Sequence, residues 1–205
     1  MDDTSQSLRL TDRKRAAVIG AAIEEFLAAG FDATSMDRVA ARAGVSKRTV
    51  YNHFPSKEAL FAAILRQLWD SSDAGKAPPY SVSKPLRGQL LQLLTKKLSL
   101  LNDEAFLSLA RVAIAAGIHS PERARDMVAR MGEREEDLTV WIRAAAADGR
   151  LRTADPAFAS LQLQGMVKAF AFWPQVTMGQ PPLTKEQQKH VAESAADMFL
   201  ARYAS

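Results

Sequence analysis

The stretch Thr34–Lys57, TSMDRVAARAGVSKRTVYNHFPSK, decides the fold. Met36, Val39, Ala40 and Ala43 recur at helical spacing, which lays one apolar stripe along a short helix and requires that face to be buried. Gly44 follows the last periodic residue, where helices commonly end in a left-handed conformation that a residue without Cβ adopts freely. Val45 then plugs a turn, and Ser46 stands where its hydroxyl can accept from the open N–H groups of a second helix starting at Lys47. The spacing predicts helix, turn, helix.

On the second helix Val50 and Phe54 lie side by side, while Arg48, Tyr51 and Asn52 gather on another side. One side packs and the other is available for contact. From Arg38 to Lys57 there are five Lys or Arg and no Asp or Glu, although the chain as a whole carries a formal charge of only +4. Positive charge concentrated locally is what a phosphate-binding surface needs. Arg13, Lys14 and Arg15 are expected in the first turn of helix 1, where the helix dipole disfavours cations unless an anion is near; a DNA phosphate or Asp12 could supply it.

The run Gly44-Val45-Ser46-Lys47-Arg48-Thr49-Val50-Tyr51-Asn52-His53-Phe54-Pro55-Ser56-Lys57-Glu58-Ala59-Leu60 resembles the signature of the tetracycline-repressor (TetR) family of bacterial transcriptional regulators. Upstream, Ala21–Phe31 followed by Thr34-Ser35-Met36 resembles that family's first helix and the start of its second. The resemblance implies that the second helix of the motif enters the major groove. The matching positions Lys47, Arg48, Thr49, Tyr51, Asn52 and His53, with Thr34, Ser35 and Ser46 at the helix starts, become DNA-contact candidates. Arg48 could fork onto a guanine edge and Asn52 onto an adenine edge, whereas the hydroxyls of Thr49 and Tyr51 reach phosphate without reading sequence. His53 could touch phosphate or pack at the helix end. Lys57, after the capping Ser56, is expected to anchor a phosphate.

Beyond this head the pattern stays helical, with no sustained alternation of period two, so the fold class is all-α. The expected architecture is a three-helix DNA-binding domain with a linking helix 4 over residues 1–70, a loop over 71–83, and a helical effector-binding and dimerisation domain over 84–205. Helix 4 should open at Ser56 and reach about Trp69. Ser71–Ser83, with Gly75, Pro78 and Pro79, reads as a break. Ser81-Val82-Ser83-Lys84 formally fits a serine-nucleophile motif but lacks its companions, and is taken as a helix cap.

Later helices are expected near 84–101, 103–117, 121–148, 156–173 and 185–203, about nine in the whole chain. Pro121 after Ser120, Pro156 after Asp155, Gly149, and a capping box of Thr184 with Gln187 mark their ends. The helix over 121–148 would measure roughly 42 Å if unbroken, with Gly132 a place to bend.

The last two helices are apolar over much of their circumference. Leu161, Gly165, Ala169, Phe172, Val191, Ala195, Met198 and Phe199 either complete the core of one copy or pack on a second. The resemblance favours the second option, because family members dimerise through their final two helices, and two heads about one DNA turn apart would read a palindrome. Phe106–Arg111, Arg150-Leu151-Arg152, Phe172-Trp173-Pro174 and Gly179-Gln180-Pro181 resemble the C-terminal domains of the AefR-like branch. The family implies an unidentified small-molecule effector, a repressor released from its operator, and a pocket. Its candidate lining residues are Phe106, Met127, Met131, Trp141, Met166, Phe170 and Trp173, with Arg111 and His119 as polar contacts.

No apolar run approaches the roughly 18 residues that cross a bilayer, and the start Met1-Asp2-Asp3 is acidic, so a cytoplasmic protein without membrane contact is expected. The chain lacks Cys, a Gly-rich phosphate loop and a nucleophile elbow, and its three His at 53, 119 and 190 are isolated. Neither an enzyme nor a metal or cofactor protein is expected.

Overall fold

The computed structural model describes residues 2–73, 78–131 and 137–205, with side chains from Thr11 onward except at 69, 72, 73, 128, 130 and 131. Among the described residues there are eleven helices and no strand. In chain order they are α1 (Asp2–Ala33), α2 (Met36–Arg42), α3 (Lys47–His53), α4 (Lys57–Asp73), α5 (Leu86–Leu101), α6 (Glu104–His119), α7 (Pro121–Met131), α8 (Asp137–Ala147), α9 (Pro156–Ala171), α10 (Trp173–Thr177) and α11 (Lys185–Tyr203). The chain is all-α, as its periodicity predicts. The excess over nine has two sources. The run 121–148 is described as α7 and α8, and residues 132–136, with the expected bend at Gly132, lie outside the described residues. The run 156–173 ends early because Pro174 cannot continue the hydrogen-bond ladder of α9, and it opens the short α10 instead.

The chain forms two compact units that do not follow chain order. The first combines Met1–Asp70 with Ser108–Met127, and the second Ser71–Leu107 with Val128–Ser205. The first unit is built on Val18, Ala22 and Phe26 of α1, Val39 of α2, Val50 of α3 and Leu60 and Ile64 of α4, with Val112 and Ala116 of α6 completing the core. Phe26, Phe31 and Phe61 meet with ring centroids 5.2 to 6.1 Å apart. Phe31 reaches that cluster because Gly30 takes φ +80 and breaks the α1 helix there. Thr34, fully buried, places its hydroxyl between the carbonyls of Glu25 and Gly30, at 3.1 and 2.8 Å. It supplies a donor to helix-end carbonyls that would otherwise lack one.

In the second unit α5 packs on α11, α9 on α11, and α8 on α9. Leu90, Leu94 and Leu98 of α5, Ile142 of α8, Leu163 and Val167 of α9 and Phe199 of α11 are fully buried. Arg87 clasps Asp197 through two hydrogen bonds of 2.6 and 3.0 Å, joining α5 to α11. The capping box of Thr184 with Gln187 and the Asp155 cap on Phe158 N–H form as the sequence predicts. Ser81 does not cap α5, however. Pro85 precedes the helix without a side-chain cap, while the Gln89 amide folds back to accept from Ser81 N–H and donate to the carbonyls of Ser81 and Lys84.

Candidate nucleic-acid interface

α2 starts from Ser35, whose Oγ accepts from Arg38 N–H at 3.3 Å, and buries Met36, Val39 and Ala40. Gly44 then turns the chain with φ +64. Ser46 Oγ accepts from Thr49 N–H at 3.1 Å, opening α3 at Lys47. α3 is fixed from behind by Val50 and Phe54, both buried, and presents Arg48, Tyr51 and Asn52 to solvent; Tyr51 is half exposed. The two-sided helix read from the sequence is therefore present.

The candidates around that face are not equivalent. Thr49 is half-buried and its hydroxyl shares a 2.8 Å hydrogen bond with that of Ser46, so both belong to the turn before they belong to any ligand. Ser35 is exposed but occupied as a cap, and Thr34 is enclosed in the α1–α2 junction, which takes its side chain away from the DNA-facing set. His53 is half-buried with its ring 6.3 Å from that of Phe54.

The cations are partly neutralised by residues that the window Arg38–Lys57 leaves out. Glu25, buried in α1, lies 2.8 Å from Arg38 and 2.7 Å from Arg42, and exposed Glu24 takes a second nitrogen of Arg42 at 2.9 Å. Those two carboxylates make the Arg42 guanidinium hold its proton more firmly, with Glu25 the larger influence. Lys47 meets Asp37 at 2.5 Å. Lys57 donates to the carbonyls of Asp32 and Thr34, both at 3.0 Å, and lies 4.6 Å above the Phe31 ring. It clamps the α1–α2 junction with two of its three N–H groups, which leaves one donor for any phosphate.

Arg48 is exposed and makes no ion pair with any described residue. Arg13, Lys14 and Arg15 sit well inside α1, which begins at Asp2, so the unfavourable first-turn dipole does not act on them; Arg15 stacks its guanidinium 5.2 Å over Phe54. The local excess of Lys and Arg thus spends most of its charge holding the head together and leaves Arg48 exposed on α3 without an ion pair among the described residues.

The other candidates also divide. Leu161, Gly165, Ala169 and Met198 are exposed, with Leu161 at 65% and Met198 at 61%. Phe172, Ala195 and Phe199 are buried within the unit and Val191 is half-buried, because the inward sides of α9 and α11 already face α5 and α8. Phe172, Ala195 and Phe199 belong to the core of one copy, and Val191 is partly covered there. Phe158, also exposed, continues the outer stripe one turn earlier on α9 and was missed by the sequence reading.

Among the pocket candidates, Met127, Arg111 and His119 fall in the first unit and Phe106, Trp141, Met166, Phe170 and Trp173 in the second. The side chain of Met131 lies outside the described residues. Phe106 and Trp141 are buried, Met166 is half-buried, and Phe170 and Trp173 are exposed. Among the described residues no cluster of side chains could hold a metal ion, and no helix is long and apolar enough to cross a membrane.

A capped helix-turn-helix whose second helix presents an exposed polar face defines a DNA-binding regulator of the all-helical class. Residues 18–64 match the family model described as bacterial regulatory proteins, tetR family, and residues 88–205 match that of the AefR-like transcriptional repressor C-terminal domain. The chain belongs to the TetR family and is a DNA-binding transcriptional regulator.

A crystal structure of a TetR family transcriptional regulator from Pseudomonas syringae pv. tomato is 52% identical, covers 93% of this chain and 96% of its own, and superposes with a TM-score of 0.84. The structure of the flavonoid-responsive regulator FrrA is 30% identical over 94% of this chain and 98% of its own, with a TM-score of 0.67. The HTH-type transcriptional regulator RutR of Escherichia coli is 28% identical over 84% of this chain and 81% of its own length.

Proposed function

We propose that the chain is a homodimeric repressor that reads a palindromic operator in the cytoplasm and is released from it by a small-molecule effector. The observation that carries the reading is the face of α3, where Arg48, Tyr51 and Asn52 stand exposed on a helix fixed by Val50 and Phe54. Arg48 forks onto a guanine edge, Asn52 supplies an amide for adenine, and Tyr51 reaches backbone phosphate. Lys47 adds a phosphate contact, and His53 closes the helix against Phe54.

One head with a two-turn helix makes few base contacts, so a second copy supplies the other half-site. The exposed stripe of Phe158, Leu161, Gly165 and Ala169 on α9, joined by Met198 of α11, is the surface for that copy. A Cβ added at Gly165 would meet nothing within 4 Å, which leaves room there for a close approach. The effector's place is the second unit. Trp141 is buried there with an indole N–H that has no acceptor among the described residues, and a ligand oxygen would satisfy it. The similarity to FrrA, a flavonoid-responsive regulator, supports ligand control here.

Footprinting on genomic fragments tests the reading. Protection of two half-sites about one helical turn apart, weakening as salt rises, is expected. A monomer in sedimentation together with uniform weak binding to all fragments would overturn it.

A further inference from the structure

In the first unit, four of the five basic residues between Arg38 and Lys57 are already engaged: Arg38 and Arg42 with glutamates of α1, Lys57 with backbone carbonyls, and Lys47 with Asp37. The last of these differs from the others. The glutamate that holds Arg38 and Arg42 is buried, and the Lys57 clamp is half-buried, whereas Lys47 and Asp37 are 66% and 54% exposed. Lys47 opens α3, next to Arg48, and Asp37 lies in the first turn of α2. An exposed pair opens at small cost, and its lysine stands at the edge of the reading face. A carboxylate there performs no packing; it meets a cation that phosphate also wants.

We propose that Asp37 is an internal competitor of the DNA backbone for Lys47, which restrains the head's affinity for any duplex and makes the Lys47 contact insensitive to salt. The inference rests on the DNA-binding reading and deepens it. When Lys47 exchanges Asp37 for a phosphate, the phosphate releases its condensed cation, but the carboxylate left behind takes one up. The two nearly cancel. With Asn at position 37 nothing is taken up, so the same contact releases close to one cation per head, about 0.9 in the slope of log K against log salt.

The test uses the full-length protein, a labelled duplex of about 30 base pairs of arbitrary sequence, and KCl from about 50 to about 300 mM, read by fluorescence anisotropy. Asp37→Asn is expected to bind roughly threefold or more tighter at the low-salt end, with a slope steeper by about 0.9 per head. Lys47→Met alone should leave the wild-type slope in place, and the double variant should lose the added steepness. Two results would overturn the proposal: an Asp37→Asn slope equal to wild type, or a Lys47→Met slope flattened by about 0.9, which would show Lys47 already acting independently of Asp37. A wild-type protein that binds no duplex at any salt would remove the DNA-binding reading itself, and the inference with it. Thermal melting of each variant accompanies the titrations, and an intact melt with an unchanged slope counts against the proposal.

Discussion

α3 and α9 make an instructive pair. Both bury one side in their own unit, α3 through Val50 and α9 through Leu163 and Val167, but the sides they leave outside are opposite in chemistry. α3 leaves Arg48, Tyr51 and Asn52, whereas α9 leaves Phe158, Leu161 and Phe170 around Gly165 and Ala169. A polar outer face is stable in water and needs a partner only to act. An apolar outer face of that size gains free energy from being covered, so its natural partner is protein of like character. The difference supports the proposed division, with nucleic acid against one helix and a second copy against the other.

The largest effect is expected at α9. Leu161→Glu places a charge in the middle of the proposed contact on both copies. Losing two buried leucines, worth about 2 kcal/mol each, and desolvating two carboxylates should weaken self-association by a factor of roughly a thousand or more. Sedimentation should show monomer, and operator binding should fall with it. A Leu161→Glu dimer as tight as wild type would break the comparison at its apolar end.

Next is Arg48→Ala, expected to cost about 1 to 3 kcal/mol on the operator and to relax preference at one base pair while changing affinity for random duplex far less. Competition titrations with single-base operator variants measure it. Equal losses on operator and random DNA would reduce α3 to a phosphate binder.

Lys57→Ala is expected to act on the fold rather than on the DNA. Losing two hydrogen bonds to carbonyls and the contact with Phe31 should lower unfolding free energy by about 1 to 2 kcal/mol, read by denaturant titration. A melt unchanged from wild type, with DNA affinity reduced on all sequences, would restore its reading as a phosphate anchor.

The smallest effect is acidic. Arg87 holds the Asp197 carboxyl below its ordinary value of 3.8, chiefly by hydrogen bonding. A carboxyl depressed on folding contributes stability that is present above its unfolded pKa and lost as pH falls through the folded one. Wild type should therefore exceed Asp197→Asn slightly in stability near neutrality, and the gap should close on acidification below about pH 4. Both side chains are half exposed, so the gap is small.

Local chemistry was legible in the chain to the residue. Gly44, Ser46, Asp155 and Thr184 each mark a helix end through a bond to a neighbour a few positions away, and such bonds survive in the sequence as short spacings. The two faces of α3 follow from periodicity in the same way. What could not be read was who neutralises whom. Arg42 finds Glu25 seventeen positions back and Lys57 finds the Asp32 carbonyl twenty-five back, distances set by how α1, α2 and α4 pack. The same limit separated Phe172 and Phe199, which look like interface residues on a helical wheel, from Leu161 and Met198, which lie on the outside. The short α10 was a local matter that periodicity overran, since Pro174 stood in plain view.

The buried Glu25 also bears on transplantation. α2 is wired to α1 by two arginines sharing one enclosed carboxylate, so a chimera that imports α2 from a relative without the matching acid strands either a carboxylate in the interior or two arginines at its rim. α3 carries no such wiring beyond one solvent-facing pair. On the proposed reading, new operator preferences can therefore be grafted by exchanging the outward residues of α3 alone, with the seam of the graft at Gly44.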